Sequence, residues 1–483
     1  MEKRVPQATQ PPEHPSRRPR WAILRTKSLH QLLQDTTLER HSLRKTLRAW
    51  DLIGIGIGCI IGVGIFVLPG VEAAKHAGPG IILSFGIAAV ACACSALSYA
   101  ELAAMIPVSG SAYTYGYATL GEIFAWIIGW DLLLEYMVAA ILVSIGWSAY
   151  FVNMLKQIGL TVPQSLANGP WATTPGVINV PAIFIIALLA ILLVRGVKES
   201  ARVNLIIVII KLVVIVIFIA LAARHTDPSN WKPFMPFGFG GVMTAAGIVF
   251  LAFVGFDAVS TTAEEAVNPQ RDMPIGIMGS LIVATVLYMA VAAIMTGVVP
   301  YTQLNVPDPV AQVLNALHMP WASALVSVGA IAGITSVLLV LMLGQPRILF
   351  AMSRDGLLPR FLSEVHPRFG TPHRTTIFTG IVVAVAAGIM RLETAAELCS
   401  IGTLLAFIIV SAGVIVLRFT RRDLKRPFRV PFFPVTPALG ILLCGYLMYN
   451  LPFPTWMRLI AWLIIGLLLY SFYGIQKSKL SKA

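Results

Sequence analysis

Charge is scarce in this 483-residue chain: 12% of its residues are Asp, Glu, Lys or Arg, where a soluble domain carries roughly 25%. Together with 57% hydrophobic residues and a mean hydropathy of +0.80, that deficit excludes a soluble globular protein, a disordered one, and a peripheral protein with a single anchor. Cysteine is rare as well. All five (Cys59, Cys92, Cys94, Cys399, Cys444) lie in apolar runs, none has zinc-site spacing, and none pairs across two loops, so packing explains them. The eight histidines are scattered, and HExxH, GxSxG and P-loop motifs are all missing. The sequence therefore offers no enzyme, no metal site, no cofactor and no nucleotide-driven pump. A cleavable signal peptide is not expected either, because the first 45 residues are polar, Pro-rich and basic with no short apolar core.

What the chain has is apolar runs of about 20 residues, the length that spans a bilayer as helix. A membrane barrel would show short alternating segments instead. The expectation is an all-α polytopic membrane protein with twelve spans, near 51–70, 80–105, 122–154, 177–195, 203–223, 240–263, 275–299, 321–350, 375–391, 396–417, 434–451 and 456–474. Residues 1–45 read as a basic, largely disordered tail with a short surface helix near 28–34, residues 46–475 as the membrane domain, and 476–483 as a C-terminal tail.

Orientation follows from the basic residues. With the N-terminus in the cytoplasm, tails and inner loops hold 29 of the 36 Lys and Arg and outer loops hold six: Lys75, Lys156, Arg224, Lys232, Arg391 and Arg458. This positive-inside imbalance places both termini in the cytoplasm of a cell-membrane protein. It also accounts for the net charge of +14 without nucleic acid as a partner. Trp and Tyr near span ends read as interfacial anchors.

Two spans carry glycine where a helix is weakened by it. The first contains Gly54, Gly56 and Gly58, which read as close-packing residues, and then Gly62-Val63-Gly64, which frees the backbone to unwind. The sixth contains Phe253-Val254-Gly255-Phe256-Asp257. Spans one and six open the two halves of a five-plus-five arrangement, and interrupted helices at matching places point to a transporter's midplane binding site.

Lys211 is the one cation in the interior of a span, away from its ends. About eight residues separate it from the nearer end, a depth of roughly 12 Å at 1.5 Å per residue. A lysine at a helix centre costs about 2.5–3.5 kcal/mol on insertion scales. Snorkelling or structural pairing competes with a residue that faces the bundle interior and gains and loses a proton. Asp131 and Glu135 share one face of span three. Substrate or proton contact competes there with a structural role, such as pairing with Lys211 or capping a broken helix. Asp257 reads as satisfying N–H groups freed at the sixth-span break. Glu101, Glu264, Glu265 and Arg347 read as solvated or gate-forming charges at helix ends.

Four stretches carry a family resemblance: Gly58 to Phe66, Ile106 to Tyr115, Phe253 to Asp257 with Glu264 to Pro269, and Gln345 to Gly356. In this order they resemble the amino acid–polyamine–organocation superfamily and, within it, the cationic amino acid transporter family in its bacterial twelve-helix form. The resemblance implies a five-plus-five inverted-repeat (LeuT-like) fold with two peripheral helices, working by alternating access. It implies that the substrate carboxylate meets the backbone N–H groups of Val63 and Gly64. The α-ammonium would meet carbonyl oxygens of Ile60, Leu251 and Val254 at the ends of two inner half-helices, with Phe253 close to the substrate. Lys211 matches the family's fifth-helix lysine, which stands in for a sodium site and implies proton coupling without sodium. Val63 replaces a residue that is often Thr or Ser, and Leu341 stands where animal members carry a smaller residue, which would shorten the side-chain pocket.

The expected function is sodium-independent, proton-coupled transport of small to medium neutral L-amino acids. Alternatives are cationic amino acid transport, with Glu135 as the matching charge, amino acid exchange, and, outside transport, a membrane sensor that binds an amino acid without moving it. Expected partners are the amino acid, protons and lipid. The sequence does not derive a small single-span subunit.

Overall fold

The computed structural model describes residues 47–478 apart from 109–110, 158, 173, 196–199, 307, 365, 367–370 and 423. The side chains of 111, 157, 200–205 and 264–265 are also outside the description. The expected tail of 1–45, its short helix and most of the C-terminal tail fall outside the described residues, as do the side chains of Glu264 and Glu265.

The described chain is helical throughout, with one isolated parallel bridge between Leu47 and Ala266 and no strand among the described residues. Among the described residues, eight helices are long and apolar enough to cross a membrane, and four apolar helices are shorter. The elements that build the site are α1 (Ala49–Ile60), α2 (Val63–Phe66) and α3 (Leu68–Glu72), followed by α4 (Ile81–Met105), α5 (Ser111–Thr119) and α6 (Glu122–Gln157). After these come α7 (Val180–Arg195), α8 (Ser200–Ala222), α9 (Gly238–Val249) and α10 (Pro269–Val298). Next are α11 (Pro309–Ala316), α12 (Pro320–Arg354), α13 (His373–Ile389) and α14 (Leu392–Thr420). The last two are α15 (Val435–Tyr449) and α16 (Phe453–Leu469).

Small residues let these helices approach. A Cβ on Gly56 of α1 would sit 2.4 Å from the Ser280 hydroxyl of α10, and one on Gly276 of α10 would sit 2.6 Å from Leu52 Cβ. Gly56 is therefore a packing residue, as the sequence suggests.

The bundle has two ends. Lys75 and Glu393 form an ion pair of 3.9 Å at one of them. At the other, buried Glu101 of α4 pairs with Arg418 of α14 and with Arg426, and accepts the Val430 N–H at 2.7 Å. Glu101 is thus an interior clamp between two helix ends rather than a solvated charge.

Trp126 and Trp130 depart from their reading as interfacial anchors. The Trp126 indole donates to the Gly466 carbonyl at 2.9 Å and that of Trp130 to the Trp462 carbonyl at 2.8 Å, while Trp462 donates back to Trp130 at 2.9 Å. Trp130 and Trp462 stack with ring centroids 4.5 Å apart. An indole buried between helices needs a carbonyl for its N–H, and here α6 and α16 exchange those bonds.

Candidate functional site

The first-span interruption lies between α1 and α2. Helix α1 ends at Ile60 and the chain turns through Ile61 and Gly62, the latter at φ −155 and ψ −130, before helix resumes at Val63. The second interruption begins where α9 ends at Val249. A 3-10 segment, Phe250–Phe253, leads to Val254 and to Gly255 at φ +121, a conformation open to glycine, and a second 3-10 segment spans Asp257–Glu265. The Gly255 N–H donates to Asp257 Oδ1 at 3.2 Å, so Asp257 caps the freed backbone.

The two interruptions meet main chain to main chain. A Cβ on Gly64 would lie 2.6 Å from Ala252 Cβ and 2.7 Å from its Cα, and one on Gly255 would lie 3.0 Å from the carbonyl carbon of Cys59. Only hydrogen fits at either contact.

Beside this crossing is a cavity of about 50 Å³. Among the expected site residues, Ile60, Val63, Gly64, Glu135, Leu251, Val254 and Leu341 line it. The N–H groups of Val63 and Gly64 belong to the first turn of a helix, where no intrahelical acceptor exists. Aliphatic side chains, Leu68, Ala139, Leu142, Val143, Val337 and Val340, form much of the remaining wall, with the Asp257 and Tyr136 side chains adding polarity.

Phe253 stands apart from the other expected residues. It does not line the cavity. Its ring is buried behind the crossing, 6.2 Å from Phe85 and 5.2 Å from Tyr288 between centroids. One correction concerns the carbonyls. Gly241 of α9 packs against the His76 carbonyl, so α9 enters from the Lys75 end, opposite to α1. The carbonyls of Leu251 and Val254 therefore close the half-helix facing the Lys75 end, while Ile60 closes the half facing the other. They converge from opposite sides rather than from two half-helices on the same side.

Lys211 of α8 is fully buried. Its Nζ donates to the Gly58 carbonyl at 2.7 Å, the Ile61 carbonyl at 2.8 Å and the Ser336 hydroxyl of α12 at 3.3 Å. It thus grips the end of α1 through the main chain, and it does not pair with Glu135. The carboxyl oxygens of Glu135 have no hydrogen-bond partner among the described residues, and neither do those of Asp131.

Tyr288 of α10 is the residue the sequence reading missed. Its hydroxyl lies 2.7 Å from the Ile60 carbonyl and 2.7 Å from the Ala252 carbonyl, bridging both interruptions. One Tyr in an apolar span gives no local signal of this role.

A second, larger cavity of about 610 Å³ lies toward the Lys75 end, among residues such as Lys75, Gly146, Asn153, Lys156, Asp308 and Glu393. Val63 of the first cavity touches Gly146 of the second. The Asn153 amide donates to the Asp308 carboxylate. Burial pushes the Asp308 carboxyl above its ordinary value, against the opposing pull of hydrogen bonds from the Asp308 backbone and the Asn153 side chain.

Two interrupted helices crossing at a buried cavity, with free helix-start N–H groups on one side, suit a zwitterion better than a reaction. The amino acid permease family profile matches residues 47–470. The chain belongs to the amino acid permeases. Within the amino acid–polyamine–organocation superfamily, this permease is 50% identical over 464 residues to the branched-chain amino acid permease BcaP of Bacillus subtilis (strain 168), covering 95% of this chain and 99% of that protein. It is 47% identical over 461 residues to the methylthioribose transporter of the same organism, covering 95% and 100%. It is 38% identical over 392 residues to the vacuolar cationic amino acid transporter 4 of Arabidopsis thaliana, covering 79% of the permease and 65% of the plant protein.

Proposed function

We propose that the permease moves branched-chain and other medium-sized neutral L-amino acids by alternating access, driven by protons and independent of sodium. The observation that carries this reading is the composition of the cavity: main-chain donors from Val63 and Gly64 at one side and aliphatic walls elsewhere. The carboxylate sits on the Val63 and Gly64 N–H groups, where the start of a helix favours an anion. The ammonium meets the carbonyls of Ile60, Leu251 and Val254, and the side chain lies against Val337, Val340 and Leu341. The relative at 50% identity, a branched-chain amino acid permease, agrees with an apolar pocket of this kind. Cationic substrates fit less well, because Leu341 occupies the length that a Lys or Arg side chain needs.

The proposal includes twelve spans, the eight long and four short apolar helices, in a five-plus-five inverted repeat with two peripheral helices and both termini cytoplasmic. The Lys75 end then faces outward. Lys211, held against Gly58 and Ile61, couples protons to cargo: its ammonium clasps the end of α1 through those two carbonyls and ties it to Ser336 of α12, and loss of the proton weakens the clasp and lets α1 swing.

Uptake into proteoliposomes tests the reading. Leucine, isoleucine and valine are expected to accumulate under an inward proton gradient without sodium and to compete with one another, while arginine and methylthioribose compete poorly. Lys211→Ala is expected to lose gradient-driven accumulation. Full proton-driven accumulation by that variant would remove the coupling role, and preferential uptake of methylthioribose would replace the substrate class.

A further inference from the structure

Asp131 is a carboxyl that the transport site leaves unused. It lies on α6 one helical turn from Glu135, on the Glu101 side, and is fully buried. It is absent from the walls of the cavity, and neither carboxyl oxygen has a hydrogen-bond partner among the described residues. The element opposite is α14, which meets it with Gly402: a Cβ there would lie 3.3 Å from Oδ1. Facing titratable groups are few. Glu135 lies on the same helix, Cys399 across on α14, and Asp257 beyond Glu135 in the unwound segment. Lys211 makes its bonds to Gly58, Ile61 and Ser336, so no cation among the described residues neutralises the carboxyl.

A cap, an ion pair and a structural hydrogen bond would each leave a partner at the carboxyl, and none is there. An unpaired ionised carboxylate inside a membrane is expensive, and acidic residues retained at that depth mark proton relays. The neutral, protonated carboxyl is the form this surrounding tolerates, and Glu135, which lines the cavity, is a neighbour able to supply the proton.

We propose that Asp131 carries protons between Glu135 and the Glu101 end of the bundle. When α14 moves off the Gly402 contact, the protonated Asp131 releases its proton to water at the Glu101 end. A water between the two carboxyls then gives a proton to the Asp131 carboxylate and takes the one freed as the O–H bond of Glu135 breaks, so that Asp131 is neutral again and Glu135 is left ionised toward the cavity. This rests on the proton-driven reading above.

The test compares two modes of transport in proteoliposomes. Asp131→Asn keeps the side-chain volume but has no carboxyl proton to pass on. Its gradient-driven leucine uptake is expected to fall by about tenfold or more, while leucine counterflow at zero pH gradient stays within about twofold of the unsubstituted permease. Asp131→Glu is expected to restore driven uptake with a shifted pH dependence. Asp131→Asn that keeps full driven uptake, or that loses counterflow and driven uptake in equal measure, overturns the proposal. Should Asp131→Asn fail to fold, an unchanged pH profile in Asp131→Glu overturns it instead. If the unsubstituted permease shows no proton-driven uptake, the underlying reading fails first; if it does and Asp131→Asn is indifferent, the relay alone fails.

Discussion

At the scale of single residues, chemistry and position were legible to different degrees. A lone lysine in an apolar span is costly enough to announce itself, and its partners are what burial requires: carbonyls and a hydroxyl within hydrogen-bond reach. The gap beside it was legible too, since Gly62 lies in the break and Gly64 just past it. Tyr288, Phe253 and the tryptophans of α6 were not. A membrane helix is apolar on its lipid face and on its packed face alike, so hydropathy does not say which way a given ring turns. Tyr288 turned to the carbonyls, and Phe253 turned away from the cavity. Leu341 gives the prediction at this scale. It lines the cavity from α12 and is buried, so Leu341→Ser removes aliphatic bulk from the side-chain end. Leucine is expected to compete less well for the variant, and arginine, longer and flexible, to gain uptake measured in the same vesicles. Unchanged arginine uptake would mean that another wall sets the length of the pocket.

At the scale of elements, the decisive contact is the crossing of the two interruptions. Glycine repeats announced that both helices break. That the breaks would touch through Gly64 and Ala252, and Gly255 and Cys59, is a long-range fact that no local pattern encodes. Neither was the opposed approach of α1 and α9, which fixes the sides from which the carbonyls converge. A methyl at Gly64 would overlap Ala252. Because that contact is partly main chain, it cannot be relieved by turning a side chain. Forcing bulk into a packed interior costs roughly 1–3 kcal/mol. Gly64→Val is expected to lower the melting temperature of the detergent-solubilised protein and to abolish leucine binding together with it. Gly86→Ala, on α4, where a Cβ meets only Met289 Cε at 3.8 Å, is the control and is expected to leave both unchanged. Equal losses in the two variants would show that the crossing is not what the substitution at Gly64 disturbs.

At the scale of the whole molecule, the Lys75 end is tied across its wide cavity. The bond from Asn153 links α6 to Asp308, which precedes α11, and α11 in turn packs on the start of α3, where a Cβ on Gly70 would strike Pro309. Burial raises the Asp308 carboxyl, so the folded protein holds that proton to higher pH than the unfolded chain does. The stability this contributes is complete below the ordinary carboxylate value near 3.9 and is lost as pH rises through the higher folded value. Asp308→Asn removes that dependence. The melting temperature of the unsubstituted permease, less that of the variant, is expected to fall as pH rises from about 4 to about 7. A difference that stays constant over this range would show that the carboxyl titrates as it does in the unfolded chain.

The lysine on α8 recognises peptide oxygens at positions 58 and 61, and no side chain there takes part in its grip on α1. Replacement of Ile61 by another aliphatic residue would leave those oxygens in place. Drift at that position is therefore silent as far as the ammonium is concerned, whereas a change of backbone path, by insertion, deletion or a proline, would be heard at once.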